Sequence, residues 1–148
     1  MSEATVHYGE RKDKREKILD AALHLFAERG FHGTPVPMVA ERAGVGAGTI
    51  YRYFENKEAL VNAIYQQWKL AFLHDVMGNF PTNVSPREQF HHLFVKVVGW
   101  AQKNPAAFQF LELHHHAPYL DGASRAIEER VLGLATGFLV ETRSRQIT

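Results

Sequence analysis

Gly44-Val45-Gly46-Ala47-Gly48-Thr49-Ile50-Tyr51-Arg52-Tyr53-Phe54-Glu55-Asn56-Lys57 reads as a tight turn, a very short helix with polar, aromatic and basic side chains on one side, and the capped start of another helix. Just upstream, Val36, Val39, Ala40 and Ala43 fall at helical spacing, so a short amphipathic helix is expected to run into Gly44 and stop there. Gly44 can take the left-handed conformation that closes a helix. Val45 then points back into the core, and Gly46 and Thr49 serve as cap and first-turn residue of the second helix. Two short helices joined by a glycine-containing turn form a helix-turn-helix.

In such a motif the first residues of the second helix reach base edges in the major groove. Here they are Ala47, Gly48 and Thr49, followed by Tyr51, Arg52 and Tyr53. Ile50 and Phe54, four residues apart, face inward as anchors, which leaves Thr49, Tyr51, Arg52 and Tyr53 to fan outward. Gly48 lets a DNA backbone come close. Arg52 is suited to a bidentate contact with guanine, and Thr49 offers a hydroxyl or a methyl. Asn56 is the expected cap of the next helix, whose free N–H groups form a phosphate site together with Lys57. Thr34-Pro35 reads as a cap and first-turn proline that could hold a second phosphate.

Residues from about 15 to 64 resemble the DNA-binding domain of the TetR family of bacterial repressors. The pieces that carry the resemblance are Ile18-Leu19-Asp20-Ala21-Ala22, Leu25-Phe26-Ala27-Glu28-Arg29-Gly30-Phe31, Val39-Ala40-Glu41-Arg42-Ala43-Gly44-Val45, Gly48-Thr49-Ile50-Tyr51-Arg52-Tyr53-Phe54 and Asn56-Lys57-Glu58-Ala59-Leu60. The resemblance implies operator contacts at Thr34, Ala47, Gly48, Thr49, Tyr51, Arg52, Tyr53 and Lys57. Gly46 and Ala47 stand where many members carry a polar or basic residue, and Pro37 where some place a DNA-touching side chain. Base reading therefore leans on Thr49, Arg52 and the tyrosines, or on DNA shape.

The 148-residue chain has a formal net charge of only +1, so any DNA affinity must come from a local basic patch. It contains no cysteine, which removes disulfides, thiol catalysis and thiolate metal sites. No signal pattern opens the sequence, and no apolar run approaches the roughly 20 residues of a membrane span; a cytoplasmic protein is the expectation. Residues 1–10 are expected to be a flexible tail. Residues 11–56 form the DNA-binding domain, opened by Arg11-Lys12-Asp13-Lys14-Arg15-Glu16-Lys17, a charged run well placed to meet phosphates. Ile18, Ala22, Leu25 and Phe26 make the inner face of its first helix, which ends at Gly30, and Phe31 plugs the core below the second.

Residues 57–148 are expected to be a linking helix and a helical ligand-binding and dimerisation domain, giving an all-α fold overall. The linking helix carries Leu60, Ile64, Trp68 and Phe72 as one stripe, with Val61, Tyr65 and Val76 beside it, and ends near Gly78. Ser85-Pro86-Arg87-Glu88 has the pattern of a capping box with a first-turn proline; Phe90, Leu93, Phe94, Val97 and Ala101 give the helix it opens an apolar face. Asn104-Pro105 starts another helix, through Phe108 and Leu111, ending before Pro118. Asp121 caps a last helix, from about Gly122 to Arg145, that is apolar nearly all round between Val131 and Val140. Such a helix is either central in its domain or covered by a partner.

No phosphate loop, nucleophile elbow or helical pair of metal-spaced histidines occurs past residue 80, so no enzyme, cofactor or metal is expected. His114-His115-His116 cannot converge on one ion as consecutive helical residues, which point about 100° apart. One of them is expected to face inward as a polar handle with Glu112 nearby. By resemblance, the second half holds an internal ligand cavity. Large residues on inward faces, Trp68, Phe72, Phe94, Trp100, Phe108, Phe110, Leu111 and Tyr119, with His115, are the candidates to line it, and their aromatic character with few buried charges suits an apolar or aromatic effector. The implied function is a repressor that binds a palindromic operator as a homodimer and is released by its effector. TetR-type chains usually carry two further helices for dimerisation, so either the sequence is truncated or the last helix has taken over that role. A helical interaction protein that forms mixed dimers with a full-length relative, and a His-rich metal-binding protein, are the alternatives.

Overall fold

The computed structural model describes residues 3–113 and 116–147, which form helices joined by turns. Helix α1 spans Glu3–Arg29. Ile18, Ala22 and Phe26 are fully buried on its inner face and Leu25 is nearly so, as the helical spacing predicts. Residues 3–10, read above as a tail, are its first turns. Gly30 closes α1 with a positive φ of 72°.

Helix α2 (Val36–Ala43) ends on Gly44, which adopts the left-handed conformation at φ 71°, ψ 32°. Helix α3 is Ala47–Tyr53 and α4 is Lys57–Met77. Val39 and Ala40 of α2 and Ile50 of α3 pack into the core built on α1. At the α4 start, Asn56 Oδ1 accepts the Ala59 N–H at 2.8 Å, and α4 ends at Gly78, both as expected.

Helix α5 (Pro86–Lys103) opens with the reciprocal Ser85–Glu88 box. Its apolar residues divide differently from the expectation. Trp100 is buried, whereas Phe90 and Phe94 stand 60% and 59% exposed and stack on each other with centroids 6.4 Å apart. Helix α6 (Pro105–Phe108) runs without a break into a π-helical turn, Gln109–Leu113, and a 3-10 turn follows at Ala117–Tyr119. Helix α7 (Gly122–Ile147) lies along α4. Asp121 caps it by accepting the Ser124 N–H at 2.8 Å. Leu132, Leu134 and Val140 are 60%, 43% and 60% exposed, so α7 is not the central helix of its domain.

Two features fix the halves to each other. The core is continuous through Phe26, whose ring lies 6.3 Å from both Phe31 and Phe110. The buried Asn62 of α4 then holds the segment that enters α7: its amide donates to the Tyr119 carbonyl at 2.8 Å, and its oxygen accepts from Asp121 N–H at 2.8 Å and Ser124 hydroxyl at 2.6 Å. A buried amide with both ends satisfied specifies one arrangement of its neighbours.

Candidate nucleic-acid interface and effector cavities

The turn between α2 and α3 is built from backbone chemistry. The Gly44 N–H donates to Glu41 at 3.1 Å and the Val45 N–H to Ala40 at 3.0 Å, which satisfies the last carbonyls of α2 and turns Val45 toward the core. Gly46 is extended at φ −75°, ψ 151°, and α3 starts after it. Ile50 is 2% exposed and Phe54 5%, so two anchors mount the helix from below. Tyr51 is 55% exposed, Arg52 and Gly48 are exposed, and Thr49 is half-buried. Tyr53 and Ala47 are also half-buried but pack against the core. The outward fan therefore consists of Thr49, Tyr51 and Arg52, with Tyr53 turned partly inward.

A Cβ added at Gly48 would meet no atom within 4 Å, and the residue has no positive φ. Nothing within the fold requires glycine there. Its missing side chain leaves a bare patch of backbone beside Arg52 on the exposed side of α3.

Of the residues tied to phosphate or operator contacts, Thr34 serves the fold instead and Lys57 serves it in part. Thr34 is fully buried, and its hydroxyl donates to the Leu25 carbonyl at 3.2 Å and the Gly30 carbonyl at 2.8 Å. Pro35, not Thr34, is the residue that precedes α2, and no side chain caps that helix. Thr34 thus bolts the end of α1 and is removed from the contact set. Lys57 is half-buried: Nζ donates to the Phe31 carbonyl at 2.6 Å and sits 4.1 Å from the centroid of the Phe31 ring. One or more of its three N–H donors is therefore spent inside the protein. Arg15 of the basic run is exposed, with its guanidinium 5.3 Å over the Phe54 ring, which brings a cation to the foot of α3.

Beside this site, the segment after α1 meets the second half of the chain. Phe31 and Tyr119 stack with centroids 3.8 Å apart, and the Tyr119 hydroxyl is hydrogen-bonded to His32 Nε2 at 2.8 Å. Tyr119, expected in the effector cavity, belongs to this junction.

The second half contains two neighbouring cavities along the α4–α7 seam. One, of about 190 Å³, is walled by Phe72, Leu73, Val76, Leu93, Val97 and Val131 among other apolar residues. The other, of about 310 Å³, is lined by Tyr65, Lys69, Glu112, His116, Glu128 and Val131 among others. Of the residues expected to line a cavity, Phe72 borders the first and Leu111 the second. Trp68 and Trp100 form an edge-to-face aromatic cluster with Phe72, Phe110 is fully buried core and Phe108 packs against that core. Phe94 points outward, and His115 lies outside the described residues. The inward histidine is His116, 4% exposed, whose Nε2 donates to the Phe110 carbonyl at 2.8 Å. In the sequence Tyr65 stands only beside the apolar stripe of α4, and the charged Lys69 and Glu128 carry no apolar signal; the one-turn spacing of Tyr65 and Lys69 along α4 and the place of Glu128 on the inward side of α7 are the signal that marks them.

Lys69 Nζ lies 3.4 Å from Glu112 Oε1. Burial, with the Glu128 and Glu112 carboxylates adding to it, pushes the Tyr65 phenol up to about 12, so it is a neutral hydroxyl at any physiological pH. Among the described residues no group of three or more His, Asp or Glu side chains could hold a metal ion, and no helix is long and apolar enough to cross a membrane.

Comparison with known proteins bears on both halves. Residues 18–64 match the family model of bacterial regulatory proteins of the tetR family, and residues 65–146 match that of the tetracyclin repressor-like C-terminal domain. The HTH-type transcriptional repressor KstR2 of Mycobacterium tuberculosis is 31% identical over 123 residues, covering 79% of this chain and 54% of that protein. The chain thus spans about half the length of that relative. A TetR-like transcriptional regulator from Rhodococcus sp. RHA1 superposes with a TM-score of 0.74 at 26% identity, covering 90% of this chain and 72% of that one. AibR, solved in complex with isovaleryl coenzyme A and operator DNA, superposes with a TM-score of 0.73 at 25% identity, covering 90% and 71%.

Proposed function

Because the chain belongs to the tetR family of bacterial regulatory proteins, we propose that it is a DNA-binding transcriptional repressor that holds a palindromic operator as a homodimer and releases it when a small molecule occupies the regulatory half. The observation that carries this reading is α3 itself: a short helix anchored by Ile50 and Phe54 that presents Thr49, Tyr51 and Arg52 around the bare backbone of Gly48. Arg52 reads a base edge, and Thr49 and Tyr51 contribute base or sugar contacts. Ala47 and Tyr53 bear on DNA from the margins of the helix. Lys57 and the α4 start, with Arg15, hold phosphates on either side.

One short recognition helix supplies little affinity, and symmetric pairing of two of them is the usual remedy. The exposed Leu132, Leu134 and Val140 of α7 supply an apolar surface on which a second copy can close. AibR carries both kinds of ligand that this mechanism needs, on a similar fold. Here the α4–α7 cavities are the effector site, and the Phe31–Tyr119 and Asn62 contacts pass its occupancy to the reading half. By linkage, effector and DNA must weaken each other's binding by the same factor.

Nuclease footprinting of the DNA flanking the protein's own gene tests this. Two protected segments centred about 10–10.5 base pairs or a multiple apart are expected. Uniform protection without such a pattern would remove the operator-binding reading.

A further inference from the structure

The two cavities on the α4–α7 seam have opposite characters and a common wall. Val131 lines both. Lys69, which lines the polar chamber, places Nζ 5.9 Å from the ring centroid of Phe72, which lines the apolar slot. A molecule with an apolar end and a polar head can therefore span them. The slot sets the size of the apolar end: at about 190 Å³ it is close to the roughly 150 Å³ of an apolar cavity that accepts benzene. One aromatic ring or a short branched alkyl group fits; a multi-ring or long-chain body does not.

The chamber sets the chemistry of the head. Among the described residues, its lining brings one ammonium, Lys69, against two carboxylates, Glu112 and Glu128. Lys69 pairs with Glu112 at 3.4 Å, and among the described residues no basic side chain pairs with Glu128. Tyr65 is only 4% exposed and lines the same chamber, and among the described residues its hydroxyl has no hydrogen-bond partner. The remaining titratable side chain of the lining among the described residues, His116, already donates Nε2–H to the Phe110 carbonyl. The vacant capacity is that of acceptors on one carboxylate, with a neutral hydroxyl beside it. An anionic head would meet uncompensated negative charge there, whereas an ammonium, with three N–H donors, meets the acceptors it needs.

We propose that this paired cavity takes a small amphipathic amine, with a single ring or short branched alkyl group in the slot and a primary ammonium held by Glu128 and Tyr65. The proposal rests on the effector-site reading above and narrows it to one ligand class.

Isothermal titration of the whole chain with 2-phenylethylamine, 2-phenylethanol and 3-phenylpropanoate tests it, since the three share a ring and linker and differ in the charge of the head. The amine is expected to bind at least about ten-fold more tightly than the alcohol, in keeping with a charge-assisted hydrogen bond, and the carboxylate more weakly than either. Glu128→Gln should reduce amine binding by about ten-fold or more and leave the alcohol within about two-fold. Tyr65→Phe should weaken both by a smaller factor. Carboxylate binding equal to or tighter than amine binding, an unchanged amine affinity in Glu128→Gln, or no binding of any of the three would overturn the proposal. The same samples titrated with operator DNA in the absence of amine keep the two readings apart. DNA binding that persists while the amine fails would sink the ligand class alone.

Discussion

The reading half and the regulatory half of this chain are built from the same element, the helix, yet they place their apolar and polar residues by different rules. In the reading half almost every large apolar side chain is inside, and polar residues mark the working surface: Ile50 and Phe54 go down while Tyr51 and Arg52 face out. In the regulatory half Phe90, Phe94, Leu132 and Val140 are largely exposed, and the polar Tyr65, Lys69 and His116 are mostly buried. A surface for nucleic acid needs a fixed scaffold under a polar face. On the proposed function the other half receives a ligand and a second subunit, and such a half needs apolar surface left over and polar groups held in reserve within it.

This contrast can be broken most sharply at Arg52. Arg52→Ala should lower operator affinity by about 1–3 kcal/mol and relax preference at one base pair, with the melting temperature nearly unchanged because the side chain is exposed. Thr34→Val should do the reverse. It leaves the Leu25 and Gly30 carbonyls without the hydroxyl they accept from, so stability measured by denaturant unfolding should fall by about 1–3 kcal/mol, and base preference among folded molecules should stay as it was. A large stability loss in Arg52→Ala, or a change of base preference in Thr34→Val, would exchange the roles assigned to the two residues.

The junction between the halves gives the next effect in size. A double-mutant cycle of Phe31→Leu and Tyr119→Leu should show a coupling of about 0.5–1.5 kcal/mol from the stack. Additive losses would mean that the contact seen at 3.8 Å carries no energy between the halves. At Gly48 the expected effects have opposite signs. Gly48→Ala should raise stability by up to about 1 kcal/mol through helix propensity, since the added Cβ meets nothing, while DNA affinity falls as the methyl holds the backbone away. A rise or no change in affinity would show that DNA does not approach there.

The smallest effect belongs to Glu88, which is held below its ordinary 4.5 by hydrogen bonds from the Ser85 backbone and side chain. A carboxylate lowered on folding stabilises the native state above its unfolded value, and that contribution is lost as pH falls through the lowered folded value. The acid limb of a pH–stability curve should therefore be flatter in Glu88→Gln than in the parent below about pH 4.5. Parallel limbs would contradict the box as a source of stability.

Much of the reading half was legible because its determinants are local. The Gly44 turn, the Ile50–Phe54 anchors and the Asn56 cap each follow from neighbours within a few residues, and the Ser85–Glu88 box, though in the other half, follows from the same kind of information. Thr34 misled for a physical reason: a hydroxyl can accept from a helix N–H or donate to a carbonyl, and Thr-Pro before a helix does not say which. Long-range geometry was the other limit. The spacing on α5 shows one apolar face, but only packing against α4 decides that Leu93 and Val97 turn toward the slot while Phe90 and Phe94 face away. The polar chamber draws on α4, the π-helical turn, the segment at His116 and α7 at once, and no sequence window contains it.

Fluorescence anisotropy of the whole chain, parent and Arg52→Ala, titrated against labelled DNA from beside its own gene with excess unrelated DNA present, tests the DNA-reading assignment most directly. Tight, competitor-resistant binding by the parent with two subunits per site, and binding by Arg52→Ala weaker by about five- to 150-fold, is the predicted result. Binding that unrelated DNA abolishes equally in both proteins, or that Arg52→Ala leaves unchanged, would contradict the assignment of α3 as the helix that reads sequence.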